Sequence, residues 1–228
     1  MTQASEQPHY TGHRQRLKGR FVDAGPDTLA DYELLEVLLF AGIPRRDVKP
    51  LAKDLIKRFT FEGVFAADVT ELQSVPGMTE SAAIILKSVE AVSKRLAKKS
   101  VLGQTVLSSW QRLLDYCHTA MAREKREHFR VLYMNKRNVL MADEVHQVGT
   151  VDQSAVYPRE IIKRALDLGA TALILAHNHP SGDPAPSDAD IELTESIIRA
   201  GDPLGIVVHD HLIIAKTGHV SFKNLGLI

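Results

Sequence analysis

The stretch HNHPSGDPAPSDAD contains side chains whose types and spacing suit a metal site. It opens with two histidines separated by one residue and closes on Asp190. On a strand, successive side chains alternate between the two faces, so His177 and His179 are predicted to project on the same side. Pro180 has no N–H to donate to a neighbouring strand, so we expect the strand to end there. The pattern therefore predicts two imidazoles at the end of a strand.

A carboxylate follows on the next element of the same stretch. Ser187 is a favourable helix N-cap after the loop SGDPAP, and Asp190 then lies in the first helical turn. The helix dipole favours an ionised carboxylate there, which is the form that a metal ligand requires. A His-x-His alone is also typical of a polar strand end, and an early aspartate alone is typical of an ordinary helix start. Their combination favours a metal site.

Two imidazoles and one carboxylate are typical of a catalytic zinc site, in which water takes the fourth position. Zinc lowers the pKa of that water from about 15.7 toward roughly 7. A neighbouring carboxylate could then accept and return its proton. The stretch therefore predicts hydrolytic chemistry.

Composition limits the other classes of function. The 228 residues are 44% hydrophobic and carry 28 basic and 28 acidic side chains, so no net charge favours nucleic acid or an anionic membrane as the main partner. Cys117 is the only cysteine, which excludes internal disulfides and cysteine-rich zinc ribbons and is typical of a reducing compartment. No run approaches the roughly 18 apolar residues of a membrane span. We therefore expect a cytoplasmic protein without membrane segments.

The first hundred residues carry helical patterns. TLADYELLEVLLFAGI has leucines at helical spacing, with Gly42 placed to end the helix. VKPLAKDLIKRF repeats the pattern with Pro50 in the first turn, and TELQSVPGMTESAAIILKSVEAVSKRLAKK predicts a short helix, a Pro-Gly turn and a long helix. The connector VLGQTVLSSW interrupts this pattern. We therefore predict an all-helical domain over residues 1–100 and a domain boundary near residue 101.

Residues 101–228 are predicted to form an α/β domain with a mixed sheet. Strand patterns occur in HFRVLYM, NVLMADEVHQV, TALILA, GIVVHDHLIIA and HVSF. Helical patterns occur in YPREIIKRALDLG, in DADIELTESIIRAG and from about Trp110. Cys117 falls in the last of these helices, where we expect a small buried hydrophobe.

The central stretch resembles the JAMM (MPN-type) metallohydrolase pattern, which runs His-x-His-Pro, six residues, Ser, two residues, Asp. Every fixed position of that pattern is present. The segments GTVDQSAVYPREIIKRAL, DHLIIAKTGHVSF and LADYELLEVLLFAGI are similar to the bacterial RadC family, and the similarity covers nearly the whole chain. The resemblance implies an α/β (α+β) protein, with an all-helical N-terminal domain followed by a mixed-sheet, JAMM/MPN-like (cytidine-deaminase-like) catalytic domain.

The resemblance also implies roles for individual residues. His177, His179 and Asp190 would bind Zn²⁺. Ser187 would orient or stabilise the oxyanion of a tetrahedral intermediate, a role worth on the order of 3 kcal/mol. Its alternative role as a helix cap is worth about 1 kcal/mol.

The general base has three candidates. JAMM enzymes place a glutamate at the start of the first strand of the catalytic domain, and Glu127, just before HFRVLYM, occupies that place. Glu144 is the second candidate and Glu160 the third. The alternative for each is a solvated surface acid.

Two further groups of residues flank this site in the sequence. His209 and His211 form a second His-x-His, which we interpret as a strand end that could lie behind the zinc site and not bind metal. The RadC resemblance in this segment centres on Asp210 and His211. Asn178 and Ser181 are adjacent to the predicted ligands, where they could touch substrate.

The segment LQSVPGMTESAAIILKSVEAV resembles a helix-hairpin-helix, in which backbone N–H groups of a tight hairpin hold a DNA phosphate. That motif has a second glycine two positions after the first, and here Thr79 stands two positions after Gly77. An αα-hairpin used for packing or protein contact is the alternative. DNA contact is thus one prediction for residues 70–90.

Two functions follow from these patterns. The first is a zinc-dependent hydrolase of the metallopeptidase or isopeptidase type, acting on a peptide or protein substrate. The alternative is a DNA-associated, repair-related binding protein with a structural or inactive metal site. A complete ligand set with a candidate base favours the first, because a structural zinc site is usually closed by a fourth protein ligand. The sequence predicts no oligomeric state.

Overall fold

The computed structural model describes residues 12–149 and 156–228. The chain divides into two compact units, one ending at Val92 and the other beginning at Ser93. This division lies nearer the N-terminus than the boundary predicted near residue 101, and it falls within one long helix.

The first unit is helical, as the periodicity predicts. Because its helices are short and joined by tight turns, most of them depend on packing for stability. The helices are α1 His13–Ala24, α2 Asp31–Gly42, α3 Lys49–Phe59, α4 Phe61–Ala66, α5 Val69–Gln73 and α6 Glu80–Val101, with a 3-10 turn at Pro26–Thr28. α6 continues past the end of the unit at Val92.

Gly42 shows why this unit packs closely. It is the last residue of α2, as predicted, but its backbone is not among the glycines with positive φ, so no left-handed cap requires it. A Cβ placed on Gly42 would lie 2.5 Å from the Cα of Ala82 in α6. Glycine is therefore needed here because two helix backbones meet.

The second unit contains all five strands of the described chain. The alternation that predicts strands and the 3.6-residue pattern that predicts helices are both confirmed. Its elements are α7 Trp110–Met121, β1 His128–Met134, β2 Leu140–Val148, α8 Pro158–Leu168, β3 Ala172–Asn178, α9 Asp188–Gly201, β4 Val207–Ala215, β5 Gly218–Ser221 and α10 Phe222–Leu225, with 3-10 turns at Leu107–Ser109 and Asp202–Leu204.

The strands form one mixed sheet in the order β2-β1-β3-β4-β5. β1 pairs antiparallel with β2 and β3, β3 pairs parallel with β4, and β4 pairs antiparallel with β5. β3 is therefore central, and all seven of its residues are buried. A strand covered on both faces must be apolar throughout, which explains the run TALILA.

Each face of this sheet packs against its own helices. Val131, Leu173 and Leu175 on one face share a core with residues of α8 and α9, including Ile161 and Ile197. The opposite face buries Leu132, Ile174 and Leu212 against α7. Cys117 belongs to this second core with no exposed surface, and burial raises the pKa of its thiol to about 12, as expected for a small buried hydrophobe.

Within the described part of the chain, no helix combines the length and the apolar character that a bilayer span requires.

The close contact at Gly42 gives a first prediction. Gly42→Ala should lower the unfolding free energy of the helical unit by about 1–3 kcal/mol, because backbone atoms of α2 and α6 must move apart. This loss is measured by hydrogen exchange of the α2 amides and by urea unfolding, which is monitored by circular dichroism. Gly19→Ala in α1 is the matched control, since its Cβ would meet only Asp23 Oδ2 at 3.8 Å. The control should gain up to about 1 kcal/mol. Equal behaviour of the two variants would contradict the packing argument.

Candidate metal centre

The centre lies where β3 ends and α9 begins. His177 is the penultimate residue of β3, and His179 follows directly after the strand. The backbone N–H of His179 donates to the Ile214 carbonyl of β4 at 3.0 Å, which keeps residue 179 in line with the strand. Alternation then brings the two imidazoles to one side, with ring centroids 4.8 Å apart. The spacing of the histidines predicts this arrangement.

Ser187 and Asp190 form the start of α9. Ser187 is the N-cap, and its Oγ accepts the Asp190 N–H at 3.2 Å. In return, Asp190 Oδ2 accepts the Ser187 N–H at 2.8 Å and the Ser187 hydroxyl at 2.6 Å. This reciprocal capping box fixes the carboxylate, and its other oxygen, Oδ1, faces His177.

Three ligand atoms converge between these two elements. His177 Nε2 lies 2.9 Å from His179 Nε2 and 3.2 Å from Asp190 Oδ1, and His179 Nε2 lies 3.6 Å from Asp190 Oδ2. Ligand atoms on a tetrahedral zinc with bonds of 2.0–2.1 Å are about 3.3 Å apart. The donor types therefore fit zinc, and one such atom from each of the three residues lies within 4.8 Å of the other two. Among the described residues, no other His, Cys, Asp or Glu joins this cluster.

The cluster is partly exposed to solvent. The His177 side chain is fully buried, while those of His179 and Asp190 keep 18% and 13% exposure. His179 Nδ1 lies 2.7 Å from the Asp183 carbonyl oxygen, which can only accept a hydrogen bond. The ring therefore donates from Nδ1, and in the neutral form its Nε2 carries a lone pair toward the cluster.

The electrostatics of Asp190 favour the ligand form. Burial by itself would raise the pKa of this carboxyl, but the His177 imidazole and the hydroxyl and N–H of Ser187 hold the pKa well below its usual range. Asp190 is thus ionised at neutral pH, as a metal ligand must be.

His211 lies directly behind His177. Its Nε2 is 2.8 Å from His177 Nδ1, and its Nδ1 is 2.6 Å from Thr194 Oγ1 on α9. Burial, and then the neighbouring His177, keep the pKa of His211 well below its ordinary value, so the ring is neutral. His209 instead contacts Asn138 Oδ1 through Nε2 at 2.8 Å. Neither residue of this second His-x-His belongs to the cluster of ligand atoms.

Comparison with protein families bears on this geometry. A model described as the RadC-like JAB domain matches residues 107–227, which is more than half of the chain. The chain belongs to this RadC-like family. A second model, described as UPF0758 N-terminal, matches residues 11–84. The RadC-like JAB domain thus includes the whole sheet and all three residues of the cluster.

The three candidate bases occupy different places in the RadC-like domain. β1 pairs with β3 as far as Phe129 opposite His177, and the same register continued two residues places Glu127 across from His179. Glu127 is exposed, and its carbonyl accepts the Gly149 N–H at 2.6 Å. It therefore precedes the first strand on the side where β3 ends.

The other two candidates are paired with arginines. Glu144 lies on β2 opposite Val131, and its two carboxylate oxygens accept from Arg164 at 2.6–3.1 Å. That hydrogen bonding lowers the pKa of Glu144. Glu160 is exposed on α8 and accepts from Arg159 Nε at 3.2 Å. Of the three, only Glu127 directly precedes the strand that pairs with the end of β3.

Asn178 positions the segment that carries Glu127. Its side chain has no exposed surface, so it cannot touch substrate as its place in the sequence suggested. Its Oδ1 accepts the His128 N–H at 2.8 Å, and its Nδ2 donates to the carbonyls of Glu124 and Arg126 at 3.3 and 3.0 Å. This clamp was missed by sequence reasoning, because its partners are 50 or more residues away. Ser181 is exposed beside the site.

The hairpin of the helical unit is formed as the sequence predicts. Gly77 has a φ of 94°, a conformation that favours glycine, and its carbonyl accepts from Arg46 at 2.6 Å. Thr79 caps α6 by accepting the Ala82 N–H at 3.2 Å, and its hydroxyl donates to the Gly42 carbonyl at 3.1 Å. The residue that replaces the second glycine is thus used in packing. DNA binding by residues 70–90 stays a prediction.

The Asn178 clamp gives a second prediction. Asn178→Ala should lower the unfolding free energy of the sheet unit by about 2–3 kcal/mol, because a buried N–H and two carbonyls lose their partner. Urea unfolding measures the change. Asn224→Ala, at an exposed position on α10, should cost less than about 0.5 kcal/mol. A loss at position 178 no larger than at position 224 would contradict the clamp.

Proposed function

We propose that this protein is a zinc-dependent hydrolase of the metallopeptidase or isopeptidase type. The observation that carries the proposal is the convergence of two imidazole nitrogens and one carboxylate oxygen on a partly exposed point. His177, His179 and Asp190 would hold the metal. A catalytic zinc site needs three protein ligands and an open position.

The donor set supports this proposal over an unmetallated cluster. The Nε2 atoms of His177 and His179 lie 2.9 Å apart, and the ionised Asp190 lies beside both. Such groups repel one another unless a cation or a proton lies between them. When bound, zinc supplies a Lewis acid that lowers the pKa of water toward roughly 7.

Glu127 is the proposed general base. Its register position across from His179 supports a carboxylate at the edge of the centre, where it would take a proton from the attacking water and pass it to the leaving amine. The segment that carries it is held by Asn178, which limits the positions that the carboxylate can reach. A fixed base is worth more than a mobile one, because correct orientation removes part of the entropy cost of the reaction.

Ser187 is the proposed oxyanion donor. In this structure its hydroxyl proton goes to Asp190 Oδ2 at 2.6 Å. To stabilise an oxyanion, the same proton would turn from Asp190 to the substrate oxygen, while the N-cap bond to the Asp190 N–H uses the serine lone pair and is kept. The two roles of Ser187 are thus compatible.

A peptide or protein is the proposed substrate. The match to a JAB-domain family and the complete JAMM pattern support an amide or isopeptide bond as the target. The exposed loop of residues 181–186 borders the ligands and would contact the chain on either side of that bond.

Metal content tests the ligand assignment. We expect about one zinc per chain in the purified protein, and His179→Ala should remove it because two ligands seldom hold zinc against a chelator. Elemental analysis by mass spectrometry measures this. His209→Ala is the matched control, since that histidine contacts Asn138 and not the cluster, and its zinc content should be unchanged. Zinc retained in full by His179→Ala would rule out the site.

Activity tests the base. In a screen of peptide, isopeptide and nucleic-acid substrates, Glu127→Gln should lower kcat by about 10²–10⁴-fold with zinc content unchanged. Glu160→Gln is the control, because Glu160 is exposed and paired only with its neighbour Arg159. If Glu127→Gln kept full activity while Glu160→Gln or Glu144→Gln lost it, Glu127 would not be the base. Cleavage of nucleic acid alone would exclude the peptidase proposal.

A further inference from the structure

A continuous chain of hydrogen bonds connects two of the proposed metal ligands through residues that do not touch the metal position. It runs from His177 Nδ1 to His211 Nε2 at 2.8 Å, from His211 Nδ1 to Thr194 Oγ1 at 2.6 Å, and from Thr194 Oγ1 to the Asp190 carbonyl at 2.6 Å. His177 and His211 have no exposed surface, and Thr194 keeps only 1%. No solvent competes for these bonds.

One backbone carbonyl sets the direction of donation along this whole series of hydrogen bonds. The Asp190 carbonyl can only accept, so the single hydroxyl proton of Thr194 is donated to it. The oxygen of Thr194 must then accept the proton of His211 Nδ1. The His211 ring has no exposed surface and only a hydroxyl and an imidazole at its two nitrogens, so it carries a single proton, and its Nε2 accepts from His177 Nδ1. His177 therefore donates from Nδ1, and Nε2 is the nitrogen that faces Asp190 and His179 and would bind the metal.

The ring of His211 is also fixed in position. It lies against the Phe222 ring, with centroids 4.6 Å apart, and against Phe129 at 5.7 Å. On the adjacent residue, Asp210 Oδ1 accepts the backbone N–H of His211 at 2.8 Å, and Asp210 Oδ2 accepts the Ser221 hydroxyl at 2.6 Å. The backbone and the ring of His211 therefore have little freedom to turn away from His177.

We propose that His211 and Thr194 are positioning residues that hold His177 in its metal-binding tautomer and tie the two ligand-bearing elements together. This proposal rests on the proposed metal centre. Without these hydrogen bonds, His177 could place its proton on Nε2, and zinc would have to displace that proton. Groups that orient a ligating histidine in this way typically change metal affinity by 10–100-fold.

Thr194 offers a matched pair of variants. Thr194→Val keeps the shape of the side chain but removes its hydroxyl. The series of hydrogen bonds then loses the group that links His211 to the Asp190 carbonyl. Thr194→Ser keeps the hydroxyl. We expect Thr194→Val to bind zinc about tenfold more weakly than wild type, measured by competition with a chelating indicator, and Thr194→Ser to bind within about twofold of wild type.

His211 gives a second comparison. His211→Leu removes both hydrogen bonds and should weaken zinc binding by about 10–100-fold. His211→Gln can present an acceptor oxygen at the former Nε2 position, so it should recover part of that loss. Thermal unfolding of each variant separates these effects from loss of fold, and the Thr194 pair remains the test if the His211 variants do not fold.

The tautomer is measured directly in the metal-free protein. In ¹H–¹⁵N spectra of histidine side chains, wild-type His177 should carry its proton on Nδ1, and Thr194→Val should show a mixture of the two forms. His179 serves as an internal reference, because the Asp183 carbonyl sets its tautomer independently. A wild-type His177 without a proton on Nδ1, or equal zinc affinity of the Thr194→Val and Thr194→Ser variants, would overturn the proposal. Failure of the metal centre itself would look different, as a wild-type protein that takes up no zinc.

Discussion

The candidate site depends on holding two imidazole nitrogens and a carboxylate close together where little solvent reaches them. Unscreened groups of this kind repel, and water would normally separate them. Here the end of β3 and the first turn of α9 keep them together, with nitrogen and oxygen atoms 2.9–3.6 Å apart. The free energy needed to hold this arrangement comes from the packed sheet around it, since β3 is buried along its whole length. A divalent cation would convert the repulsion into attraction.

Each histidine of the cluster is oriented by hydrogen bonds that end on a backbone carbonyl. The Asp183 carbonyl accepts from His179 Nδ1, and the Asp190 carbonyl accepts from Thr194, whose Oγ1 contacts His211 and, through it, His177. A backbone carbonyl fixes the direction of such bonds because it accepts and never donates. Orientation of this kind would reduce the cost of reorganisation on ligand binding.

Asp190 combines a structural and a chemical role. Its Oδ2 completes the capping box of α9, and its Oδ1 faces the histidines. The same contacts that start the helix keep the carboxyl ionised, because the Ser187 groups and His177 lower its pKa against the effect of burial. The same interactions therefore begin the helix and keep the Asp190 carboxyl ionised. This shared set of hydrogen bonds explains why a serine stands three residues before the aspartate.

Local patterns in the sequence determined most of the elements and the three residues of the cluster. Alternation placed His177 and His179 on one side of a strand, the capping preference of Ser187 placed Asp190 in a first helical turn, and the pattern of strands and helices predicted a mixed sheet. Each of these depends on residues a few positions apart, so each is encoded in the neighbouring side chains. Gly42 was correctly predicted to end its helix, but for a different reason, since its backbone approaches Ala82.

Only the tertiary structure decided which distant residues complete the site. His211 meets His177 across 34 residues, and Asn178 holds the segment before β1 across 50 or more. The arginines beside Glu144 and Glu160 are likewise seen only in the structure, whereas the preference for Glu127 came from its place before the first strand. Strand register arises from the packing of whole faces, so a shift of one residue would turn every such contact to the opposite side of the sheet. No short stretch of sequence contains that information.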